Sequence, residues 1–494
     1  MYFDPMWAAD AYKLDHRRQY PKGTTRVYSN FTSRGSRIEG IDHVIHFGLQ
    51  AFLLGYLGED FDRWFRTDED QVVASYEKML MNVLGPNDIG TDHIRALHQL
   101  GYVPLRFCAL PEGTPVPLRV PMFTVENTHP EFFWMVNYIE SVMSASVWLP
   151  STSATRAWHL RKLLDSYAQE TGGAKDFVDW QGHDFSFRGM SNALAAAASG
   201  AGHLLSFTGT DSLPALEWIE NYYGDTHFAG KPNGFIGGSV AATEHSVMCA
   251  GGDLNETETF DRLLDLYPTG IVSVVSDTWD LWNVLTNILP SLKDKIMARD
   301  GKLVIRPDSG DPVDIICGTH PMPRWLDATP AEKGVVQLLW EEFGGTVNAA
   351  GYKELDPHVG AIYGDSINYD RAQAIAERLA AKGFASTNIV LGVGSYTYQY
   401  VTRDTFGSAM KATWAEVDGE GRDLFKDPVT DNGLKKSAVG RLAVLPGAHG
   451  GMRLVNRATP EQEAQSMLRP VWEDGRMLNY QTFGDVRHTL RTSS

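Results

Sequence analysis

The chain has 494 residues, 43% hydrophobic and 21% charged, and its 61 acidic against 44 basic side chains give a formal net charge of −17. This is the composition of a folded protein with a large core and room for two or three domains. The acidic field excludes general binding to nucleic acid or anionic membranes, but not a small anionic substrate in a local basic pocket. Cys108, Cys249 and Cys317 are too few and too irregularly spaced for a disulfide framework or a zinc pattern, which points to a reducing cytoplasm. The first residues lack the basic-then-apolar plan of a signal peptide. The apolar stretch 192–207 is interrupted by polar residues and too short to cross a bilayer.

To about residue 150 the pattern is mixed. Residues 26–34 (RVYSNFTSR) alternate as a strand, 45–57 read as a short strand running into a helix, and 104–117 read as strands broken by a Pro/Gly turn. Residues 131–148 carry apolar side chains at helical spacing without Pro or Gly, which predicts a buried helix. Beyond 150 the rhythm changes. An amphipathic helix over 156–171 stops at Gly172-Gly173. Short β-branched runs then alternate with helices: 270–275 before 279–289, 302–306 before a long connection, 359–364 before 369–383, and finally 387–394. Single strands alternating with helices imply parallel βαβ units, in an open α/β sheet or a TIM-like barrel. Residues 317–358 read as an insertion-like connection with one helix, 330–343.

In parallel α/β folds, sites form at the C-terminal ends of strands. Here four successive strands end in Ser276-Asp277, in Arg306-Pro307-Asp308, in Gly364-Asp365 and in Gly392-Val393-Gly394-Ser395. One such end is usually a turn; four together point to a site. Asp311 reads as shaping its turn. Gly364, Gly392 and Gly394 suit phosphate held by backbone N–H groups, although no P-loop or dinucleotide fingerprint is present. Arg403, Lys411 and Lys426 follow downstream and could neutralise phosphate. In HDFSFRGM (183–190) Arg188 lies among aromatics, as core packing or as a platform for a flat ring. FTGTDS (207–212) ends an apolar stretch at Asp211. GGSVAATEHSVM (237–248) presents Glu244 and His245, a candidate pair for nucleophilic or base chemistry.

These motifs, in order along the whole chain, resemble the nicotinamide phosphoribosyltransferases among the type II phosphoribosyltransferases. The likeness runs from DAYKLDHRRQYP (10–21) through FGLQ (47–50), PEG (111–113), FTVENT (123–128), HDFSFRG, GTD (209–211), SVVSD (273–277), IRPDSGDP (305–312), YGDSI (363–367) and VTRD (401–404) to LFKDPV (424–429). It implies an irregular TIM-like α/β barrel domain over 151–394 and a second, α+β domain built from 1–150 with roughly 395–494. It implies phosphoribosyl transfer from 5-phosphoribosyl-1-pyrophosphate to nicotinamide, Mg²⁺, ATP hydrolysis through a phosphohistidine, and a homodimer with shared sites.

By that resemblance Phe185 and the partner copy's Tyr12 sandwich the pyridine ring, and Asp211 bonds the carboxamide. Arg188 and Arg306 bind near the ring and the phosphates. His245 is the phosphorylated residue, oriented by Glu244 and Asp277. Asp308 binds ribose hydroxyls beside Gly364 and Asp365, and Asp10 and Ser273 join the substrate-binding set. Arg34, Gly392, Gly394, Ser395, Arg403, Lys411 and Lys426 hold phosphates, while the metal ligands stay unassigned. The resemblance also leads one to expect consecutive glycines in the phosphate loop, where this chain has Val393, Ser395 and Tyr396. A Ser where positive φ or close backbone approach is needed would weaken phosphate affinity unless its hydroxyl donates a bond.

Three other readings stay open. A nicotinate phosphoribosyltransferase would be distinguished at Asp211. A sugar enzyme using Asp277 and Asp308 as paired carboxylates leaves the Arg and Gly turns without a purpose. A non-catalytic dimeric binding protein has no need of Glu244-His245.

Overall fold

The computed structural model describes residues 4–224, 235–320, 328–364, 366–425, 438–447 and 450–493. Asp365 and Lys426 lie outside the described residues. The chain packs as two units: Met1–Thr155 with Trp218–Gly234 and Val401–Ser494, and Arg156–Glu217 with Phe235–Tyr400.

The first unit is organised by an antiparallel sheet of seven strands. In sheet order these are Glu420–Asp423, Ser408–Val417, Thr24–Ser33, Pro121–Asn127, Leu105–Ala109, Arg469–Glu473 and Arg476–Met477. The strand read at 26–34 is therefore central, and pairing with Ser408–Val417 brings sequence-distant segments together. Phe31 opposes Phe123 with rings stacked 5.0 Å apart, and Phe107 lies beside them in a core closed by Tyr56, Phe61, Trp64 and Tyr76. Trp218 and Tyr223 belong here too. Their rings pack 5.8 and 5.2 Å from Phe47, and the Tyr223 hydroxyl donates to buried Glu112 at 2.6 Å. This short return of chain has no signature in the sequence rhythm.

Two local expectations are revised. Instead of separate helices at 131–148 and 156–171, one helix runs Glu140–Glu170 with Pro150 inside it. An internal Pro costs about 3 kcal/mol. Met143, Val147, Ala154 and Ala157, at helical spacing around it, are fully buried, and burying a side chain such as Met or Val contributes about 1.5–3 kcal/mol, so packing wins. In the long connection the helix expected at 330–343 is two, Pro330–Lys333 and Val335–Phe343, broken at Gly334 with φ +82°. A hairpin follows, Gly345–Val347 with Lys353–Leu355. No helix among the described residues is long and apolar enough to cross a membrane.

The second unit is built on seven parallel strands, in sheet order Gly209–Thr210, Gly182–Asp184, Ile389–Val393, Val359–Tyr363, Asp300–Arg306, Thr269–Val275 and Ala241–Ala242. Every pairing is parallel. A further parallel bridge joins Gly209 to Gly238, just before the last strand, so the sheet curls until its two edges meet. The four strands whose ends attracted attention in the sequence are consecutive neighbours, and their C-terminal ends share one edge.

Candidate active site

The turn after Arg306 is organised by Asp277. Its Oδ2 accepts the backbone N–H of Asp308 at 2.9 Å and of Ser309 at 2.8 Å. Its Oδ1 is buried with no hydrogen-bond partner. Asp311 caps the helix Pro312–Cys317 through the N–H groups of Val313 and Asp314. His245 begins the helix His245–Gly251. Its Nε2 lies 3.3 Å from Asp308 Oδ1, and its Nδ1 lies 3.2 Å from Thr278 Oγ1. The ring's partners are thus Asp308 and Thr278, where Glu244 and Asp277 were expected; Glu244 accepts the Ser246 hydroxyl instead. One ligand atom each from His245, Asp277 and Asp308 lie within 4.8 Å of one another. Asp277, with an orphaned oxygen, and Asp308 are donors of the hard type that Mg²⁺ prefers, whereas the imidazole nitrogen is not.

Arg306 stands next to this cluster, only 9% exposed. Its guanidinium carbon is 5.1 Å from the centroid of the Phe185 ring. Nη1 donates to the Thr243 carbonyl at 3.3 Å, and Nε is buried without a partner. Among the described residues no carboxylate pairs with it. A Cβ on Gly364 would stand 2.9 Å from Arg306 Nε and 3.2 Å from Asp308 Cβ. Gly364 therefore serves close approach by the guanidinium. The Ser273 hydroxyl is also buried and unpartnered. Buried polar atoms without partners are rare in native folds, and each calls for a ligand, an ion or water.

Asp211 follows the strand Gly209–Thr210, and its backbone N–H is bonded to Asp184 O at 3.0 Å. Its Oδ1 accepts from His183 Nε2 at 2.8 Å and from the Ser239 hydroxyl at 2.5 Å. Burial pushes the Asp211 carboxyl up, but the bonds from His183 and Ser239 and the charges of His183 and Arg306 more than offset it, holding the group below the usual carboxylate range. Phe185 is fixed by its backbone N–H to Val393 O at 2.9 Å. Asp211, Phe185, Arg306, His245, Asp277, Asp308, Ser273 and Gly364 are all in the second unit, as are Gly392, Gly394 and Ser395 at the end of Ile389–Val393. Arg188 lies in the short turn Phe187–Gly189, exposed. Gly394 has φ −104° and Ser395 starts a right-handed helix, Ser395–Tyr398. The expected strain of a Ser in that loop is absent.

Tyr12, Asp10, Arg34, Arg403 and Lys411 belong to the first unit. Tyr12 is 62% exposed, and Asp10 accepts the Ser141 hydroxyl. The Lys411 amine is held below its ordinary range by desolvation, and further by the neighbouring charges of Arg34, Arg403 and Lys13, against Glu140. Arg34, Arg403 and Lys411 thus form one cation cluster. Sequence reasoning missed His183, Ser239 and Thr278. Thr278 adjoins a strand end already singled out, and His183 and Ser239 lie in the stretches 183–190 and 237–248, but which polar residue there turns inward is not visible in spacing.

The chain matches the nicotinate phosphoribosyltransferase (NAPRTase) family profile over residues 180–476 and the nicotinamide phosphoribosyltransferase N-terminal domain profile over residues 5–61. It is 51% identical to a nicotinamide phosphoribosyltransferase of Acinetobacter baylyi, over 99% of this chain and 97% of that one. It is 35% identical to one of Xanthomonas campestris pv. campestris, over 97% of this chain and 96% of that one. Human nicotinic acid phosphoribosyltransferase superposes with a TM-score of 0.55 at 16% identity, covering 100% of this chain and 93% of that one. Nicotinate-nucleotide pyrophosphorylase from Pyrococcus furiosus superposes with a TM-score of 0.57 at 14% identity, covering 99% and 95%. These two likenesses carry the fold: a parallel TIM-like barrel and an antiparallel sheet of N- and C-terminal strands. With half of its residues identical to one relative over nearly its whole length, and with the family profiles matched, the chain belongs to the nicotinamide phosphoribosyltransferases.

Proposed function

We propose that the strand-end face of the second unit carries out the chemistry of this family as follows. The chain transfers phosphoribosyl from 5-phosphoribosyl-1-pyrophosphate to the ring nitrogen of nicotinamide, giving nicotinamide mononucleotide and pyrophosphate in NAD salvage. The nucleophile is an uncharged ring nitrogen and the anomeric carbon becomes oxocarbenium-like, so no strong base is needed. What is needed is a positioned ring and a neutralised leaving group. The observation that carries the assignment is the trio of Phe185, Arg306 and Asp211. They offer a ring face, a guanidinium with no carboxylate partner among the described residues, and an ionised acceptor to a flat amide-bearing heterocycle.

In this reading Arg306 meets the carboxamide or phosphate oxygen and Asp308 the ribose hydroxyls. Asp277 and Asp308 would hold Mg²⁺, which when bound neutralises charge on the departing pyrophosphate. His245, half exposed beside them, takes a phosphoryl group from ATP to favour product formation. Acid-labile phosphate on wild type incubated with ATP and Mg²⁺, and none on His245→Ala, is the expected result. Tyr12 and the cation cluster of the first unit serve the site of a second copy. Mixed dimers of Tyr12→Ala with Phe185→Ala should then recover activity that neither variant has alone. The free cysteines suit a reducing cytoplasm.

The assignment is tested at Asp211. Nicotinamide presents an N–H donor where nicotinate presents a second carboxylate. A hydrogen bond to a charged group contributes about 1.5–3 kcal/mol, and two facing carboxylates repel, so wild type should prefer nicotinamide by about a hundredfold or more in kcat/KM. Asp211→Asn should lower that ratio more than it lowers nicotinamide use. Competition between the two bases reads the ratio directly, and a ratio unmoved by the substitution would sink the carboxamide role.

A further inference from the structure

An aspartate whose side chain is 42% exposed at a strand end can turn about its own bonds. Reading one amide reliably requires more than its presence. Both donors that reach Asp211 act on the same oxygen, Oδ1. An ionised carboxylate only accepts, so His183 must carry its proton on Nε2 and the Ser239 hydroxyl must donate. Two donors converging on one oxygen fix the side chain in a single orientation. Oδ2 is left without a protein partner among the described residues.

The donors are themselves held. His183 lies in the strand Gly182–Asp184, with its ring 4.5 Å from that of Phe185. Gly209 on the neighbouring strand leaves room for the ring, since a Cβ there would stand 2.7 Å from His183 Nδ1. Ser239 follows Gly238, whose carbonyl accepts the Thr210 N–H at 3.0 Å. The three side chains therefore sit on three backbone stretches bonded to one another, where the barrel closes.

We infer that His183 and Ser239 are positioning residues that clamp Oδ1 of Asp211, aim its Oδ2 at the substrate's amide N–H, and so set the choice of a pyridine carboxamide over a pyridine carboxylate. This inference rests on the role of Asp211 given above. Loss of either donor frees the carboxylate to rotate away from the amide and weakens the forces that keep it ionised. Among the described residues, the charged or titratable groups that act on Asp211 are His183 and Arg306.

Ser239 is exposed, so its substitution leaves the core intact. Ser239→Ala should raise KM for nicotinamide with little change in kcat and cut the nicotinamide-over-nicotinate ratio about tenfold, while Ser239→Thr keeps the hydroxyl and most of the ratio. His183→Ala should cut the ratio further, with partial rescue by His183→Gln, which retains a donor. In both Ala variants KM for nicotinamide should begin to rise at higher pH than in wild type. The measurement is kcat and KM for each base across pH 4–8 (on the order of one pH unit per step is sufficient), with melting temperatures recorded alongside. A purely scaffolding role would lower kcat for both bases together with the melting temperature, and would overturn the inference. So would Ser239→Ala with an unchanged ratio in an enzyme whose ratio does respond to Asp211→Asn. A ratio unmoved by Asp211→Asn itself would remove the carboxamide reading and this inference with it.

Discussion

Each unit contains a largely buried arginine stacked on aromatic rings, and the two are treated in opposite ways. In the first unit Arg441 lies 4.6 Å from Tyr28 and 5.4 Å from Trp414. It makes four bonds to carboxylate oxygens, two to Glu126 and two to Glu463, at 2.7–3.3 Å. In the second unit Arg306 is deeper, yet it has one carbonyl at 3.3 Å, one ring face, and an orphaned Nε. The first unit contains unpartnered buried polar atoms too, on Arg17, His46, Trp64, Tyr76, His93, Arg106, Trp134, Thr413 and Trp472. Those on His46, Trp64, His93, Trp134 and Trp472 are ring nitrogens. In the second unit Ser273 Oγ, Asp277 Oδ1 and Arg306 Nε gather at neighbouring strand ends. A buried charge left unpaired is costly to the fold. Where such groups converge, a ligand, an ion or water can supply the partner.

The sharpest way to break that comparison is to replace each arginine by a residue of similar volume. Arg306→Met should lower kcat/KM about a thousandfold, on the scale of losing a preorganised donor to the reacting centre, while thermal stability holds or rises. Arg441→Met should do the reverse. Leaving buried Glu126 and partly buried Glu463 unpaired costs about 3–5 kcal/mol, with turnover per folded molecule unchanged. Equal losses of stability in denaturant unfolding of the two variants would erase the distinction.

Asp277 gives one oxygen to the backbone of the turn and keeps the other without a hydrogen-bond partner among the described residues. Asp277→Asn keeps a carbonyl for the N–H groups of Asp308 and Ser309 but removes the charge. Activity should fall about a hundredfold, and the Mg²⁺ concentration for half-maximal rate should rise. Titrating Mg²⁺ against initial rate checks it; an unchanged Mg²⁺ dependence would assign the orphaned oxygen to something else.

The smallest effect belongs to the scattered orphans of the first unit. Burial alone holds His46 neutral, its pKa pushed down to about 3 from an ordinary 6.5. Between those values the unfolded chain binds a proton that the folded chain does not. Stability is therefore full above about pH 6.5 and falls as pH drops, by about 1.4 kcal/mol per pH unit for such a group. Burial likewise holds His93 at about 3, so His46→Phe should remove part of the acid slope and leave part. Unfolding curves at pH 5 and pH 7 for wild type and variant measure the difference.

Much of the second unit was legible in the sequence. The runs at 270–275, 302–306, 359–364 and 387–394 are short, β-branched and separated by helices, and they became neighbouring parallel strands, because a strand buried on both faces needs a continuous apolar run and a crossover long enough to return parallel. Less was legible where packing overrides local preference. Pro150 should end a helix and does not. Residues 218–223 return to the first unit because Phe47 and Glu112 are there to receive Trp218 and Tyr223. The hairpin at 345–355 has no alternation strong enough to announce it.

At the strand ends, the sequence by itself determined that Asp277, Arg306 and Asp308 stand there, and it singled out Asp211 and His245 as chemical groups. Motif order and strand periodicity are local properties, and a turn after a parallel strand must emerge on the same edge as its neighbours. Only the tertiary structure decided which of these groups touch. His245 faces Asp308 and Thr278 rather than Glu244. Asp277 binds the backbone of the turn it faces, and His183 with Ser239 converges on one oxygen of Asp211. Those pairings depend on strand order, on the bridge between Gly209 and Gly238, and on the rotamers that packing permits, and none of these is carried by residue spacing along the chain.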